Sequence, residues 1–377
     1  MISKSRLLAE FEHLVSINSE SFHESEMKQY LSHRLQELGL TVHEDSAAHQ
    51  LSSFGATAGN LYAYLKGTLP GTPLLFSAHM DTVHPGNGKH AVRHPDGTIT
   101  SDGTTVLGSD DAAGLAGILE ALSVIREDSL PHADIEILFP VAEEVYGKGS
   151  ACFDFPSLRS REAYVLDLTG PIGTAALAAP TLLSIDILVT GKAAHAGFAP
   201  EQGINALTAA SAALAKIPVG KVSKDTTVNF GLIAGGTGLN IVPEQIRIQG
   251  EIRSLRHREA ERQAKAISDL FRKEAARIGA SAECTVTEQI HAYRIRKDDP
   301  VVKRFRRALR DLQSESPNLV STFGGSDNNH FVQHGIHGIV LSCGMNNVHT
   351  TEEYTTEEQL LQCAALTLRL MTSGKDQ

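Results

Sequence analysis

An apolar run that ends in a histidine and a carboxylate, Leu74-Leu75-Phe76-Ser77-Ala78-His79-Met80-Asp81, constrains the fold of this chain more than any other stretch. A continuous apolar segment of that kind suits a strand buried on both faces, which occurs where helices cover a parallel sheet. In open α/β sheets, ligands bind outside the carboxyl ends of such strands. His79 and Asp81 therefore stand where a site would form. Two further apolar runs repeat the pattern: Ile135 to Val141 leads into Glu143-Glu144, and Tyr164-Val165-Leu166 ends in Asp167. One such motif recurs by chance. Three apolar strands that each deliver acidic or imidazole side chains are not what packing alone predicts.

The neighbouring segments supply layers for that sheet. Leu7, Leu8, Phe11, Leu14 and Val15 recur at helical spacing, and a second helix carries Tyr30, Leu31, Leu35 and Leu38 before Gly39 stops it. Leu61 to Leu65 reads as another strand. From Pro85 to Thr105 the chain is rich in Gly, Pro, His and Asp, a long loop with a turn at His94-Pro95-Asp96-Gly97-Thr98. His84, just before it, and His90 and His94 within it are expected to be solvated, with metal capture the alternative. Leu107-Gly108-Ser109-Asp110-Asp111 then opens a small-residue helix, Ala112 to Ile125, able to pack closely on the sheet.

Near Thr181 the texture changes, because Leu183, Ile185, Ile187 and Val189 alternate with polar residues, the mark of a half-exposed antiparallel strand. A helix follows (Ile204 to Ile217), then strands at Thr226 to Ile233 and Gln245 to Ser254, a charged helix from His257 to Ile278, and a strand at Ala282 to Gln289. That β-α-β-β-α-β order is the ferredoxin-like split arrangement. Beyond it come a basic helix, Pro300 to Leu312, the loop Gly324-Gly325-Ser326-Asp327, a buried strand at Ile339 to Ser342, and His349. Lys303, Arg304, Arg306, Arg307 and Arg310 read as a solvated helix face. Thr355 with Glu358 forms a capping-box signature before a last helix, Glu357 to Met371. The expected fold is α/β: a mixed, mainly parallel sheet flanked by helices, formed by residues 1–180 and 291–377, with an inserted ferredoxin-like domain over 181–290.

A length of 377 residues exceeds what one core holds economically and suggests two or three domains. The formal net charge of -10 argues against a nucleic-acid or anionic-membrane partner. Cys152, Cys284, Cys343 and Cys363 are far apart and read as buried small hydrophobes in a reducing compartment. The N-terminal segment has no signal-peptide apolar core, and no apolar run reaches the ~18 residues a membrane span needs. The expected location is the cytoplasm.

Collected together, His79, Asp81, Asp110, Glu143, Glu144, Asp167 and His349 hold two imidazoles and several carboxylates, a donor set suited to zinc or a similar first-row divalent ion. The carboxylates outnumber the needs of one tetrahedral ion, so two ions sharing one of them would use the set better. Of an adjacent pair such as Glu143-Glu144, one member can bind metal while the other stays free as a base.

These residues and their surroundings resemble the M20 family of dinuclear metallopeptidases, and within it the peptidase T-like group. The resemblance rests on Ser77-Ala78-His79-Met80-Asp81-Thr82-Val83, on Ser101-Asp102-Gly103-Thr104-Thr105 leading into Leu107-Gly108-Ser109-Asp110-Asp111, on Glu143-Glu144, on Gly324-Gly325-Ser326-Asp327, and on Asn347-Val348-His349-Thr350. It implies two divalent metal ions, zinc first with cobalt or manganese also accepted. Asp110 would bridge them, with His79 and Asp167 completing one site and Glu144 and His349 the other. Asp81 would stand behind His79 and orient it, and Glu143 would be the general base toward a metal-activated water. In the inserted domain, a lid and dimerisation element by resemblance, His195 would stabilise an oxyanion from the partner subunit of a homodimer. Asn240, Arg253, Gly325 and Ser326 would contact substrate. Ser109 and Ala112 depart from the group's usual alanine before the bridging aspartate and lysine after the Asp-Asp pair.

The implied activity is release of the N-terminal residue from tripeptides. The alternatives are hydrolysis of N-acyl amino acids or dipeptides by the same centre, and a non-catalytic binding protein on a peptidase fold. For any one residue a plain structural role competes: Asp110 as a helix cap, His195 as a turn residue beside Gly197, Asn240 and Arg253 as turn and strand residues. Gly235-Gly236-Thr237-Gly238 is not a phosphate loop, because Pro243 and a strand follow it rather than a helix.

Overall fold

The computed structural model describes residues 1–312 and 316–373. The chain divides into two compact units, one of Met1–Ala178, Arg294–Thr322 and Ser326–Gln377, the other of Ala179–Tyr293 with Phe323–Gly325.

The first unit is built on an eight-stranded sheet with the order Thr41–Glu44, Leu61–Leu65, Ile135–Phe139, Leu74–Ser77, Glu162–Leu168, His337–Ser342, Thr174–Ala176, Asn318–Val320. Its centre is parallel: Leu74–Ser77 lies between Ile135–Phe139 and Glu162–Leu168, and His337–Ser342 runs parallel to Glu162–Leu168. Antiparallel pairs flank that centre. Every residue of Leu74–Ser77 and Ile135–Phe139 is buried; the one charged residue among them, Glu136, accepts from Tyr62 Oη and Ser160 N, each at 2.7 Å. Phe76 and Tyr164 meet across neighbouring strands with ring centroids 5.5 Å apart.

Helix Ser109–Glu127 is buried from Ser109 to Ile125, and the helices Lys4–Ser16 and Glu357–Thr372 pack against it. Its small residues let it approach the sheet. A Cβ on Gly114 would fall 2.6 Å from the carbonyl oxygen of Leu166, so this position excludes a side chain. The last helix is capped one residue later than the sequence signature suggests: Thr356 Oγ1 accepts from Gln359 N at 3.1 Å, while Thr355 is buried in the strand Tyr354–Thr356. Both threonines fit a capping box, and pairing of Tyr354–Thr356 with Thr98–Thr100 decides between them. The basic helix Pro300–Leu312 is also less solvated than its composition implies: Lys303 and Arg310 are exposed, but Arg304, Arg306 and Arg307 are half-buried.

The second unit is a five-stranded antiparallel sheet, in the order Gly220–Ser223, Thr226–Gly235, Gln245–Ser254, Thr181–Thr190, Ser281–Ile290. Helices Ala206–Leu214 and His257–Ala276 pack on it. Leu183, Ile185, Ile187 and Val189 point into the core with Ile248, Ile252 and Phe271, the consequence of their period-two spacing. The short edge strand Gly220–Ser223 was not signalled by alternation, since none of its residues is buried.

Candidate functional site

The ends of the buried strands converge in the first unit. Past Ser77 the chain turns so that His79 N donates to Asp111 Oδ2 at 3.1 Å, and Met80 N to the carbonyl of Pro140 at 2.8 Å, just beyond the adjacent strand. His79 Nδ1 lies 2.9 Å from the main-chain oxygen of Asp81 and 3.4 Å from its carboxylate. The backbone oxygen is thus the nearer partner that orients the ring. Besides facing His79, the carboxylate holds three further groups: Oδ1 accepts from Glu143 N at 2.8 Å, and Oδ2 from Glu144 N at 3.1 Å and Ser21 Oγ at 2.7 Å. Ala142, just before these amides, is left-handed at φ 52°, and its N–H donates to buried Glu24 at 3.0 Å. Two carboxylates from the N-terminal part of the chain therefore hold three successive amides and aim Glu143 and Glu144.

Asp110 sits at the mouth of its helix with non-helical backbone angles. One of its oxygens lies 3.0 Å from His79 Nε2, the other 3.3 Å from His349 Nε2. His349 Nε2 also lies 3.0 Å from Glu144. Ligand atoms of His79, Asp110 and Asp167 fall within 4.8 Å of one another, and so do those of Asp110, Glu144 and His349. Asp110 is common to both groups and Glu143 belongs to neither. Asp167 lies within the strand Glu162–Leu168 rather than after it, where the register with His337–Ser342 shifts.

Burial and mutual repulsion dominate the electrostatics. Burial pushes the Glu143 carboxyl well above the usual range, helped by the charges of Asp327, Glu144 and Asp81 against the opposing His79. Burial likewise raises Asp167, with Glu143 and Asp110 adding to it. Glu144 rises to about 7 through burial and the nearby Asp110, despite its bond to His349. His349 is raised to about 10 by its hydrogen bonds to Asp110 and Glu144. Burial would lower His79, but Asp110 and Asp81 hold it well above its ordinary value. Carboxyls buried together so that ionising all of them is costly, beside imidazoles whose protons those carboxylates hold, form a donor set that cations would relieve. Mixed imidazole and carboxylate ligands fit first-row divalent ions.

The remaining sequence-derived candidates lie in both units. His195 is exposed in the second; its Nδ1 accepts from Gly197 N at 3.1 Å and Phe198 N at 3.2 Å, which leaves the proton of a neutral ring on Nε2. Asn240 is exposed, and its carbonyl accepts from Ala196 N. Arg253 is half-buried and grips Glu251 through Nε and Nη2, at 2.8 and 3.0 Å, while Nη1 donates to the carbonyl of Phe323. Gly325 is exposed in the second unit, whereas Ser326 is buried in the first. In the histidine-rich loop, His84 pairs with Glu20 at 3.0 Å and His94 with Thr100 at 2.9 Å. His257, Glu288 and His291 form a third group at metal-ligand spacing, in the second unit. There His291 Nδ1 is 2.7 Å from Glu288 and His257 Nδ1 3.1 Å from Thr181, so these nitrogens already have partners.

Four buried carboxylates escaped a role in the reading of the sequence. Asp111 accepts from His79 N, Glu24 from Ala142 N, and Glu353 from the start of the Asp110 helix, while Asp327 raises Glu143. Asp111 and Asp327 lie inside motifs already singled out. Glu353 follows His349 by a few residues, and nothing local to Glu24 marks it.

Residues 75–373 match the model of peptidase family M20/M25/M40. The Bacillus subtilis protein YqjE, itself uncharacterised, is 37% identical over 98% of this chain and 99% of its own. The crystal structure of aminopeptidase PepT from Bacillus cereus superposes with a TM-score of 0.90 at 37% identity, covering 98% of both chains. A tripeptidase from Staphylococcus aureus gives 0.94 at 34% identity, covering 99% of this chain and 98% of that one.

Proposed function

The chain belongs to peptidase family M20/M25/M40, and on that premise we propose that it releases the N-terminal residue from small peptides, tripeptides first, at a pair of divalent cations. The observation that carries the proposal is the pair of ligand groups sharing Asp110, with Glu143 left outside both. The similarity to an aminopeptidase and a tripeptidase supports the choice of substrate.

His79, Asp110 and Asp167 would hold one cation, and Asp110, Glu144 and His349 the other, with zinc the expected ion and cobalt or manganese acceptable to the same donors. Bound there, divalent ions supply Lewis acidity that lowers the pKa of a water and polarises the scissile carbonyl. Glu143, outside both ligand groups and so free of the cations, takes the proton from the attacking water and later gives it to the leaving amine. Asp81 keeps Glu143 in place through the amides it accepts. His195, whose neutral ring carries its proton on Nε2, would be the donor for the oxyanion, and Asn240, Arg253, Gly325 and Ser326 would contact substrate. For Arg253 to bind a substrate carboxylate, that carboxylate must displace Glu251.

We place the enzyme in the cytoplasm, in keeping with four cysteines that form no disulfide. Among the described residues no helix is long and apolar enough to cross a membrane. A homodimer through the second unit is the expected assembly, supported by exposed Phe198, Leu232, Ile233 and Leu239.

The test is a side-by-side assay of a tripeptide, a C-terminally blocked dipeptide and an N-acyl amino acid, with metal content measured on the same preparation. Turnover of the tripeptide, abolished in Glu143→Gln at unchanged metal content, is the expected result. Hydrolysis of the acyl amino acid alone overturns the aminopeptidase reading, and full activity of metal-loaded Glu143→Gln removes Glu143 as base. Light scattering that shows a fully active monomer overturns the assembly and with it a role for His195 across subunits.

A further inference from the structure

The helix that carries Asp110 begins without a side-chain cap of its own. Gly108, at its N-cap, is left-handed at φ 75°, and Asp110 and Asp111 depart from helical angles. The amides at such a start need acceptors. One side chain supplies them. Glu353 Oε2 accepts from Gly108 N at 2.8 Å, and Oε1 from Asp110 N at 3.0 Å and Ser109 Oγ at 2.6 Å. Three donors thus converge on one carboxylate that is 1% exposed.

Glu353 comes from the far end of the chain, and its own place is fixed. Its N–H donates to the carbonyl of Thr350 at 3.2 Å, and the next residues, Tyr354–Thr356, pair with Thr98–Thr100. The same short loop carries His349, which is left-handed at φ 63°. One short segment therefore presents His349 and grips the turn that aims Asp110. Glu353 belongs to neither ligand group.

We propose that Glu353 is the positioning residue for Asp110: it fixes the carboxylate shared by the two cation sites and ties it to the loop bearing His349, so that the two sites fill as a coupled pair. The proposal rests on the two-cation reading given above. Ser109, where the peptidase T-like pattern has alanine, adds its hydroxyl to the same grip. A charged acceptor matters here because hydrogen bonds to it are about twice as strong as neutral ones. Glutamine in its place keeps the shape but turns an N–H toward the amide of either Gly108 or Asp110.

The experiment is titration of the metal-free full chain with Co2+, followed by visible absorption and by the magnetic coupling of the bound pair, in wild type, Glu353→Gln, Glu353→Ala and Ser109→Ala, with far-ultraviolet circular dichroism on each. Wild type is expected to take up two ions that couple magnetically. In Glu353→Gln, affinity for the second ion falls about 10- to 100-fold, the size seen when a group behind a ligand is lost. The coupling weakens, kcat falls by a similar factor, and KM stays within threefold. Ser109→Ala shows a smaller shift of the same kind. If Glu353→Ala fails to fold, Glu353→Gln decides. Two wild-type affinities and unchanged coupling in Glu353→Gln overturn the proposal, and so does a variant that only melts earlier. A wild type that binds a single ion refutes the two-cation reading itself, and the coupling proposal with it.

Discussion

Replacing Asp81 by asparagine separates two accounts of that residue. The carboxylate accepts from Glu143 N, Glu144 N and Ser21 Oγ, all within 3.1 Å, and stands 3.4 Å from His79 Nδ1, which is closer to the Asp81 backbone oxygen. An asparagine oxygen can keep one amide, but its NH2 then faces the other. One buried N–H is left unsatisfied, at about 1 to 3 kcal/mol, and the surviving bond drops from the charged to the neutral class, a further loss of about 1 kcal/mol. The sum is about 2 to 4 kcal/mol. At roughly 2 °C per kcal/mol for a unit of this size, the metal-free first unit should melt about 4 to 8 °C lower. Because the displaced amides carry Glu143 and Glu144, kcat should fall on the order of 100-fold with KM nearly unchanged. Affinity for the cation beside His79 should change less than tenfold, since the backbone oxygen still holds the ring. Calorimetry on the metal-free protein, a cobalt titration and steady-state kinetics on the loaded enzyme read the three quantities. A melting point and kcat matching wild type would refute the reasoning. Loss confined to cation affinity would show that the carboxylate acts through His79 instead.

Other perturbations follow from the same geometry. His349 is raised from an ordinary 6.5 to about 10, so its stabilising contribution is complete below about 6.5 and is lost as pH rises through 10. Glu144 is raised from 4.5 to about 7, so ionising it across that window destabilises the metal-free fold. Both signs agree: the metal-free protein loses stability as pH climbs, while apparent cation affinity rises because bound protons must leave; competition titrations from pH 6 to 9 check this. Chelation should lower the melting of the first unit by up to about 4 kcal/mol of lost ligand stabilisation and leave the second unit where it was, which calorimetry resolves as one moving and one fixed transition. Gly149→Ala would drive a Cβ into the carbonyl oxygen of Val141 and set it 2.7 Å from Asn60 Oδ1, so this variant should lose both stability and turnover. Wild-type kinetics in it would show that the segment before Glu143 gives way easily.

Much of the site was legible because it is written at the ends of strands. A strand buried on both faces must be apolar, so a polar side chain at its carboxyl end stands out; His79, Glu143, Glu144 and Asp167 were found that way. Secondary structure followed local periodicity with equal directness, as in the alternation of Leu183 to Val189. Boundaries were less secure: Thr355 and Thr356 offer the same capping chemistry, and the pairing of Tyr354–Thr356 with Thr98–Thr100 chose Thr356.

The candidate ligands and base could be picked out before the fold was known, because residue type and position at the end of a strand or the start of a helix are local properties. Only the tertiary structure decided what each carboxylate does. Asp81 sits two residues from His79, yet its oxygens hold amides 62 and 63 residues away. Glu24 reaches Ala142 across 118 residues, and Glu353 reaches Asp110 across 243. A carboxylate accepts from whichever buried N–H groups the fold leaves without partners, and those amides belong to turns whose conformations exist only once the strands are assembled.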